Sequence, residues 1–232
     1  MYHLNEYHST AELNHALAHD IITQLSQAIA LRGKASLAVS GGRTPTELFK
    51  LLSQQTLDWD KVYITLVDDR WVDEHDEASN ARLVKSHLLQ NNASKAHFVG
   101  LKTAASSPFD GEKESELRLQ QTIPLPFDAL ILGMGDDGHT ASLFPHAANL
   151  ANGLDMHSGR TLVGMTPLTA PLDRISLTLP TILASRQLYL HLVGENKKQV
   201  LSQASAGKDI NDMPIRAVLH QDKTPLSIYW TL

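Results

Sequence analysis

Short, mainly apolar segments alternate with helical segments along almost the whole chain. A strand that is apolar throughout is buried on both faces, which is typical of a parallel sheet covered by helices on its two sides. The alternation therefore predicts an α/β fold with a mainly parallel sheet and helices on both faces. The predicted strands are 35–40, 62–67, 96–101, 127–133, 174–180, 187–194 and 226–232.

The segments between these strands have the patterns of helices. Leucine and isoleucine recur at helical spacing between Ala11 and Leu31. The segment 44–52 begins with Thr44 as a candidate N-cap and with Pro45 in its first turn. Further helices are predicted at 77–89, 112–121, 195–204 and 213–219.

The length and the composition bound the class of protein. Only the stretches 102–111 and 145–160 lack a regular pattern, and neither is long enough for a convincing linker, so 1–232 is predicted to be a single domain. The net charge of −5 argues against a nucleic-acid surface that works by bulk charge, and the chain has no cysteine to act as a nucleophile. The N-terminus lacks the pattern of a secretory signal, and no apolar run approaches the roughly 20 residues of a membrane helix. A cytoplasmic protein is expected.

A glycine turn follows the first predicted strand. In open α/β sheets, ligands bind beyond the carboxyl ends of the strands. Gly41 and Gly42 let the backbone approach a ligand closely, the following helix start suits an anion, and Arg43 adds donors. The alternative is a tight turn whose arginine is only solvated.

Three charged residues, Asp68, Asp69 and Arg70, leave the second predicted strand together. A surface ion pair there would contribute little to stability. Three charges at the carboxyl end of a strand also fit a functional site, and both interpretations stay open.

The third turn, 133–138, satisfies the pattern G-x-G-x-x-G. Asp136 and Asp137 would oppose the pyrophosphate of a dinucleotide, and the motif lies far from the first βαβ unit, so a dinucleotide site is disfavoured. We predict instead a turn that brings Asp137 and His139 to the mouth of the sheet. Histidine is the natural general base near neutral pH, and a carboxylate two residues away could orient it. A histidine that only caps or packs is the alternative.

These turns, in this order, resemble the 6-phosphogluconolactonase family. The resemblance covers nearly the whole chain, and the segment 133–145 is its most specific part. The matching segments are SGGRTP (40–45), DDRWV (68–72), SNARLVKSHLL (79–89), GMGDDGHTASLFP (133–145), DRISLTLPTIL (173–183), GENKKQVL (194–201) and PIRAVL (214–219). The resemblance implies a Rossmann-like fold similar to those of glucosamine-6-phosphate deaminases and ribose-5-phosphate isomerases. It also implies hydrolysis of 6-phospho-D-glucono-1,5-lactone in the oxidative pentose phosphate pathway, without a metal or a cofactor.

The resemblance also implies roles for particular residues. His139 would be the general base that activates water, and Asp137 would assist it. The implied substrate contacts are Gly41, Gly42, Arg43, Asp68, Arg70, Gly135 and Lys197. The chain departs from the family at two positions, because the family often has glutamate at the position of Asp69 and proline at that of Asp73. Neither departure removes a proposed catalytic group.

Other functions on such a fold remain as alternatives. Deaminases follow the Gly-His pair with Ile-Ala-Phe-Asn-Glu-Pro, whereas this chain has TASLFP at 140–145 and so lacks the carboxylate. Attack by Ser142 is less favoured because no G-x-S-x-G elbow is present. A non-catalytic sugar-phosphate sensor would usually carry an added domain. We expect a sugar-phosphate lactone as the small-molecule partner, no nucleic acid, no membrane, and a monomer or weak homodimer.

Overall fold

The computed structural model describes residues 2–232, in which strands and helices alternate. The strands are β1 His3–Tyr7, β2 Ala35–Val39, β3 Val62–Leu66, β4 Asp68–Arg70, β5 His97–Val99, β6 Ala129–Leu132, β7 Leu162–Met165, β8 Arg174–Leu177, β9 Leu188–Val193 and β10 Leu226–Thr231. The helices are α1 Thr10–Arg32, α2 Thr46–Gln54, α3 Asn80–His87, α4 Pro108–Thr122, α5 Leu150–Leu154, α6 Leu179–Leu183, α7 Glu195–Ala206 and α8 Ile215–Leu219.

Seven strands form one sheet in the order β1-β10-β9-β6-β2-β3-β5. Every neighbouring pair in this sheet is parallel. All residues of β2 and of β6 are buried, and successive side chains of a strand point to opposite faces, so both faces of the central strands are covered. The predicted α/β fold with a mainly parallel sheet is confirmed.

The helix α1 shows how the sequence builds one covering layer. Its N-terminus is capped by the side chain of Ser9, which accepts from the backbone N–H of Glu12, and it ends at Gly33 in the left-handed conformation. Its apolar side chains Leu13, Leu17, Ile21 and Leu25 are fully buried. Each contributes about 1.5–3 kcal/mol relative to an exposed position. The helix packs against β1, β2, β6 and β10.

A second sheet, which the sequence analysis did not predict, is antiparallel and has the order β4-β8-β7. The predicted strand 174–180 is shorter than expected, Arg174–Leu177, and belongs to this small sheet rather than to the parallel one. The pattern missed β4 because its three residues are all charged. It also missed β1, a polar strand at the edge of the large sheet, and β7.

The edge of the small sheet is closed by carboxylates of α4. Glu112 accepts a hydrogen bond from the backbone N–H of Gly164, and Glu116 accepts one from that of Thr161. Arg160 pairs with both glutamates, at 3.1 and 3.0 Å. Side chains therefore satisfy the outer donors of β7 in place of another strand.

Two local predictions need correction. The helix α2 begins at Thr46 with Pro45 as its cap residue and no side-chain capping bond, so Thr44 is not the N-cap. Both stretches that looked irregular contain helix, since α4 begins at Pro108 and α5 lies within 145–160. Within residues 2–232, no helix has both the length and the apolar character needed to cross a membrane.

Candidate active site

One cavity of about 220 Å³ opens where the carboxyl ends of β2, β6 and β9 meet. The three strands run parallel, with β6 between the other two, so their carboxyl ends lie at one edge of the sheet. The cavity brings together residues of all three predicted turns and of α7: Gly41, Gly42, Asp68, Arg70, Gly135, His139 and Lys197.

The turn after β2 forms one wall of this cavity. Gly42 has a φ of 93°, in the region that side chains rarely adopt, so the turn depends on glycine there. Thr44 also lines the cavity, beside the start of α2. Arg43 is exposed and does not line the cavity, so its predicted phosphate contact stays a prediction.

His139 and Asp137 form a closely coupled pair in the third turn. Nδ1 of His139 lies 2.6 Å from Oδ1 of Asp137, and the backbone N–H of His139 donates to the same oxygen at 3.0 Å. Burial by itself raises the pKa of Asp137, but the hydrogen bonds and the charge of His139 bring it below the usual value. The ionised carboxylate accepts, so the ring proton sits on Nδ1 and Nε2 keeps its lone pair.

The ring of His139 is fixed by packing as well. It stacks on Phe144, with centroids 4.1 Å apart and an angle of 25° between the planes. The backbone N–H of Gly135 donates to the carbonyl oxygen of His139 at 2.8 Å. A Cβ atom at position 135 would overlap Nδ1 of the ring, so only glycine lets the imidazole lie this close to the turn.

The glycine-rich turn has little capacity left to bind a pyrophosphate. The N–H of Gly133 donates to Oγ of Ser40 at 3.2 Å, and that of Gly138 donates to the carbonyl of Gly135 at 3.1 Å. The N–H of Gly135 is also engaged, as described above. Because a dinucleotide motif needs such amides for the phosphates, the geometry agrees with the sequence in disfavouring a dinucleotide.

Two arginines lie side by side on neighbouring strands of the small sheet. Arg70 of β4 pairs in register with Arg174 of β8, and both line the cavity. Nη1 of Arg70 donates to the carbonyl of Ala78 at 2.6 Å, whereas the buried Nε has no partner among residues 2–232. Two neighbouring guanidinium groups, one of them with an unpaired donor, have the chemistry that suits an anion.

Arg174 is the more buried member of this pair, with 7% of its surface exposed. Burial and then the charge of Arg70 lower its pKa, and the nearby Asp68 and Asp69 oppose that change only in part. Its guanidinium lies 5.7 Å from the ring centre of Phe144, the same ring that supports His139. An anion bound here would relieve the repulsion between the two arginines.

Asp68 lines the cavity, but its carboxylate is already used inside the protein. Oδ2 accepts a hydrogen bond from the hydroxyl of Ser142, which ties β4 to the segment that carries His139. Ser142 is fully buried and does not line the cavity, which argues against its direct attack on a substrate. The predicted substrate contact of Asp68 therefore needs an oxygen that Ser142 does not occupy.

Asp69 has a structural task next to this site. Its carboxylate accepts from the backbone N–H groups of Asn80 and Ala81, at 2.7 and 3.2 Å, and so caps the N-terminus of α3. Burial raises its pKa to about 6 although these hydrogen bonds act in the opposite direction.

Lys197 lies in the first turn of α7 and reaches across to the glycine-rich turn. Its Nζ donates to the carbonyl of Met134 at 2.8 Å and lies 2.5 Å from Oδ1 of Asp136. The ammonium group therefore holds the turn that carries the histidine, and Lys197 also lines the cavity, while its predicted substrate contact stays a prediction.

Sequence reasoning missed several polar residues of the cavity, among them Asn80, Arg174 and His191. Asn80 follows the predicted charged turn and donates from Nδ2 to the carbonyl of Asp68 at 2.9 Å. Arg174 stands at the start of a predicted strand, the end that does not face ligands in a parallel sheet. His191 lies inside a mainly apolar strand, where a histidine fits a core position as well as a site.

Comparisons with known proteins place this chain in a family. Residues 8–230 match the model of the glucosamine-6-phosphate isomerases/6-phosphogluconolactonase family. The chain belongs to this family.

Individual relatives agree with that assignment. The 6-phosphogluconolactonase of Rhizobium meliloti (strain 1021) is 43% identical over 226 residues, which are 97% of this chain and 96% of the relative. A crystal structure of a 6-phosphogluconolactonase from Shewanella baltica OS155 is 48% identical, with a TM-score of 0.98, covering 100% of this chain and 98% of that one. A monomeric glucosamine-6-phosphate deaminase shares the fold at 16% identity, with a TM-score of 0.78 and coverage of 97% and 96%. The predicted similarity to ribose-5-phosphate isomerases stays a prediction.

Proposed function

We propose that this chain hydrolyses 6-phospho-D-glucono-1,5-lactone to 6-phospho-D-gluconate in the oxidative pentose phosphate pathway, and does so in the cytoplasm. The enzyme would be a carboxylic ester hydrolase. Family membership and relatives that bear the name 6-phosphogluconolactonase support this function. The observation that carries it is the His139–Asp137 pair at a cavity that also holds Arg70 and Arg174.

His139 is the general base in this proposal. Its Nε2 takes a proton from water while the water oxygen bonds to C1 of the lactone, and negative charge develops on the carbonyl oxygen. The bond between C1 and the ring oxygen then breaks, and the ring oxygen receives the proton back from the imidazolium. A positioned base of this kind contributes about 10²–10⁴-fold to the rate. Asp137 keeps the proton on Nδ1 and stabilises the imidazolium.

The substrate phosphate would bind to the cations of the cavity. Arg70 has a guanidinium donor without a partner among residues 2–232, Arg174 lies beside it, and Lys197 adds a third positive charge. The protein as a whole is acidic, so these cations form a local site rather than part of a general positive surface. A phosphate there is held about 1.5–3 kcal/mol more tightly for each buried charged hydrogen bond.

The oxyanion has two candidate sources of stabilisation, backbone amides of the glycine-rich turn or a cation. The N–H groups of Gly133, Gly135 and Gly138 already donate within the protein. We therefore assign the oxyanion to a cation of the cavity rather than to these three amides. The oligomeric state, a monomer or a weak homodimer, stays a prediction.

The test is a lactonase assay with freshly made 6-phosphogluconolactone, corrected for spontaneous hydrolysis. We expect enzymatic turnover of this substrate and much weaker turnover of unphosphorylated gluconolactone. Glucosamine 6-phosphate is assayed in parallel as the deaminase substrate. Release of ammonia without lactone hydrolysis would replace the proposed function by that of a deaminase.

A further inference from the structure

His191 is a polar residue of the cavity that the mechanism above does not use. It lies on β9, lines the cavity, and has 5% of its surface exposed. Both of its ring nitrogens are buried, and within residues 2–232 neither has a hydrogen-bond partner. Buried polar groups nearly always have a partner, and each group without one destabilises the protein. A leucine at this position of an apolar strand would avoid that cost.

The register of the sheet places open space beside this imidazole. β6 and β9 pair Leu132 with Leu190, and continuing that register by one residue sets Gly133 next to His191. A Cβ atom added to Gly133 would meet nothing within 4 Å. The position beside His191 on the neighbouring strand therefore carries no side chain, and both residues line the cavity.

The chemistry of the ring narrows what it could bind. Burial lowers the pKa of His191 to about 4, so the ring is neutral near pH 7 and offers one N–H donor and one acceptor. A neutral imidazole is a poor partner for a phosphate, and Arg70, Arg174 and Lys197 already supply cations. It also lacks the carboxylate that orients His139. A hydroxyl group, which both donates and accepts, matches it best.

We propose that His191 binds a ring hydroxyl of the sugar-phosphate substrate and thereby positions the lactone under His139. This role rests on the proposed function, because it takes the hydroxyl-bearing lactone as the substrate. The substrate would supply the hydrogen-bond partner that the imidazole lacks in the protein alone. His191 would then select for substrates that carry a hydroxyl at one ring position.

The test compares His191→Leu and His191→Gln with wild type on 6-phosphogluconolactone and on phospholactones that lack the 2-, 3- or 4-hydroxyl. We expect His191→Leu to lower kcat/KM on the full substrate by about tenfold or more, because the hydroxyl loses its partner. His191→Gln keeps a donor and an acceptor and should recover part of this loss. For one of the deoxy substrates, wild type should show a reduced kcat/KM. His191→Leu should have the same kcat/KM on that deoxy substrate as on the full substrate.

Tyr189→Phe is the matched control, since Tyr189 lies two residues earlier on the same strand and its hydroxyl donates to the carbonyl of Asp20 rather than facing the cavity. It should keep wild-type kcat/KM. A folded His191→Leu enzyme within twofold of wild type on every substrate would overturn the proposal.

A second measurement does not depend on activity or on a leucine variant that folds. The imidazole ¹⁵N signals of His191 in the wild-type protein should move when 6-phosphogluconate or glucose 6-phosphate is added, and unmoved signals at saturation would overturn the contact. Wild type that fails to hydrolyse the lactone would instead overturn the proposed function. The His191 contact would then still be judged by its signals with glucose 6-phosphate, which carries the same ring hydroxyls.

Discussion

Nδ1 of His139 lies 2.6 Å from Oδ1 of Asp137, and the same oxygen accepts the backbone N–H of the histidine. One carboxylate oxygen thus fixes both the position of the turn and the tautomer of the ring. Because the pKa of Asp137 is lowered by this contact, although burial alone would raise it, the carboxylate stays ionised at neutral pH. The pair depends on an aspartate here, since an amide could donate to Nδ1 and reverse the tautomer.

Asp137→Asn should lower kcat by at least about tenfold with a small change in KM, because the neutral amide neither fixes the tautomer nor stabilises the imidazolium. Steady-state kinetics on 6-phosphogluconolactone measures both constants. Asp222→Asn, a change of the same charge at an exposed position, is the control and should behave as wild type. Equal kcat in the two variants would show that Asp137 only supports the turn.

Gly135→Ala tests the close approach of the backbone to the catalytic ring. The added Cβ atom would overlap Nδ1 of His139 and crowd Oδ1 of Asp137, so the ring must shift. We expect kcat to fall by about 10²-fold, since small displacements of a catalytic group have large effects on rate. Gly100→Ala is the control, because its Cβ atom would make only an ordinary contact with Phe98 at 3.7 Å. A Gly135→Ala enzyme with normal kcat would contradict the described packing of the ring.

Arg174→Met should raise KM for the phosphorylated lactone by about tenfold or more, because a buried charged donor to the phosphate is lost. Turnover of unphosphorylated gluconolactone should fall less, because that substrate has no phosphate for the guanidinium to bind. Arg43→Met, at the exposed arginine outside the cavity, should change KM by less than about twofold if the buried pair carries the phosphate. The opposite ranking of the two variants would move the phosphate site to the turn after β2.

The free energy of unfolding should depend on pH because His191 is buried in its neutral form. The pKa is about 4 in the folded protein against 6.5 in its reference state, so between these values the unfolded chain binds a proton that the folded one does not. The contribution of the neutral His191 to the free energy of unfolding is complete above pH 6.5 and is lost as the pH falls toward 4. Between pH 7 and pH 4.5, wild type should lose about 2–3 kcal/mol more than His191→Leu.

Denaturant unfolding of both proteins at the two pH values gives this difference. Asp69, whose pKa burial raises to about 6, acts in the opposite direction, but it is present in both proteins and cancels. Identical losses for wild type and His191→Leu would mean that His191 becomes protonated in the folded protein as readily as in the unfolded chain.

Much of the site could be predicted because its elements are local in sequence. The glycine-rich turn, Asp137 and His139 follow one apolar strand directly, and the carboxyl ends of parallel strands meet at one edge of the sheet. Lys197 lines the cavity, and the substrate contact that the family resemblance implies for it stays a prediction.

Arg174 could not be predicted in the same way, because its place depends on a non-local pairing. The antiparallel ladder between β4 and β8 sets it opposite Arg70, although 104 positions separate the two in the chain. Nothing in the charged three-residue strand β4 has the pattern of a sheet strand. His191 could not be predicted as a site residue for another reason. It lies inside the mainly apolar strand β9, where a single histidine fits a core position equally well.

The most direct test of the account is the kcat of His139→Asn on 6-phosphogluconolactone, with spontaneous hydrolysis subtracted. Asparagine keeps polarity and approximate size but cannot accept the proton from water. We predict a kcat at least about 10²-fold below wild type, with KM for the phosphorylated lactone largely unchanged because the cations of the cavity remain. Unfolding measured alongside should confirm that the variant is folded. A folded His139→Asn protein that retains near-normal kcat would contradict the assignment of His139 as the general base.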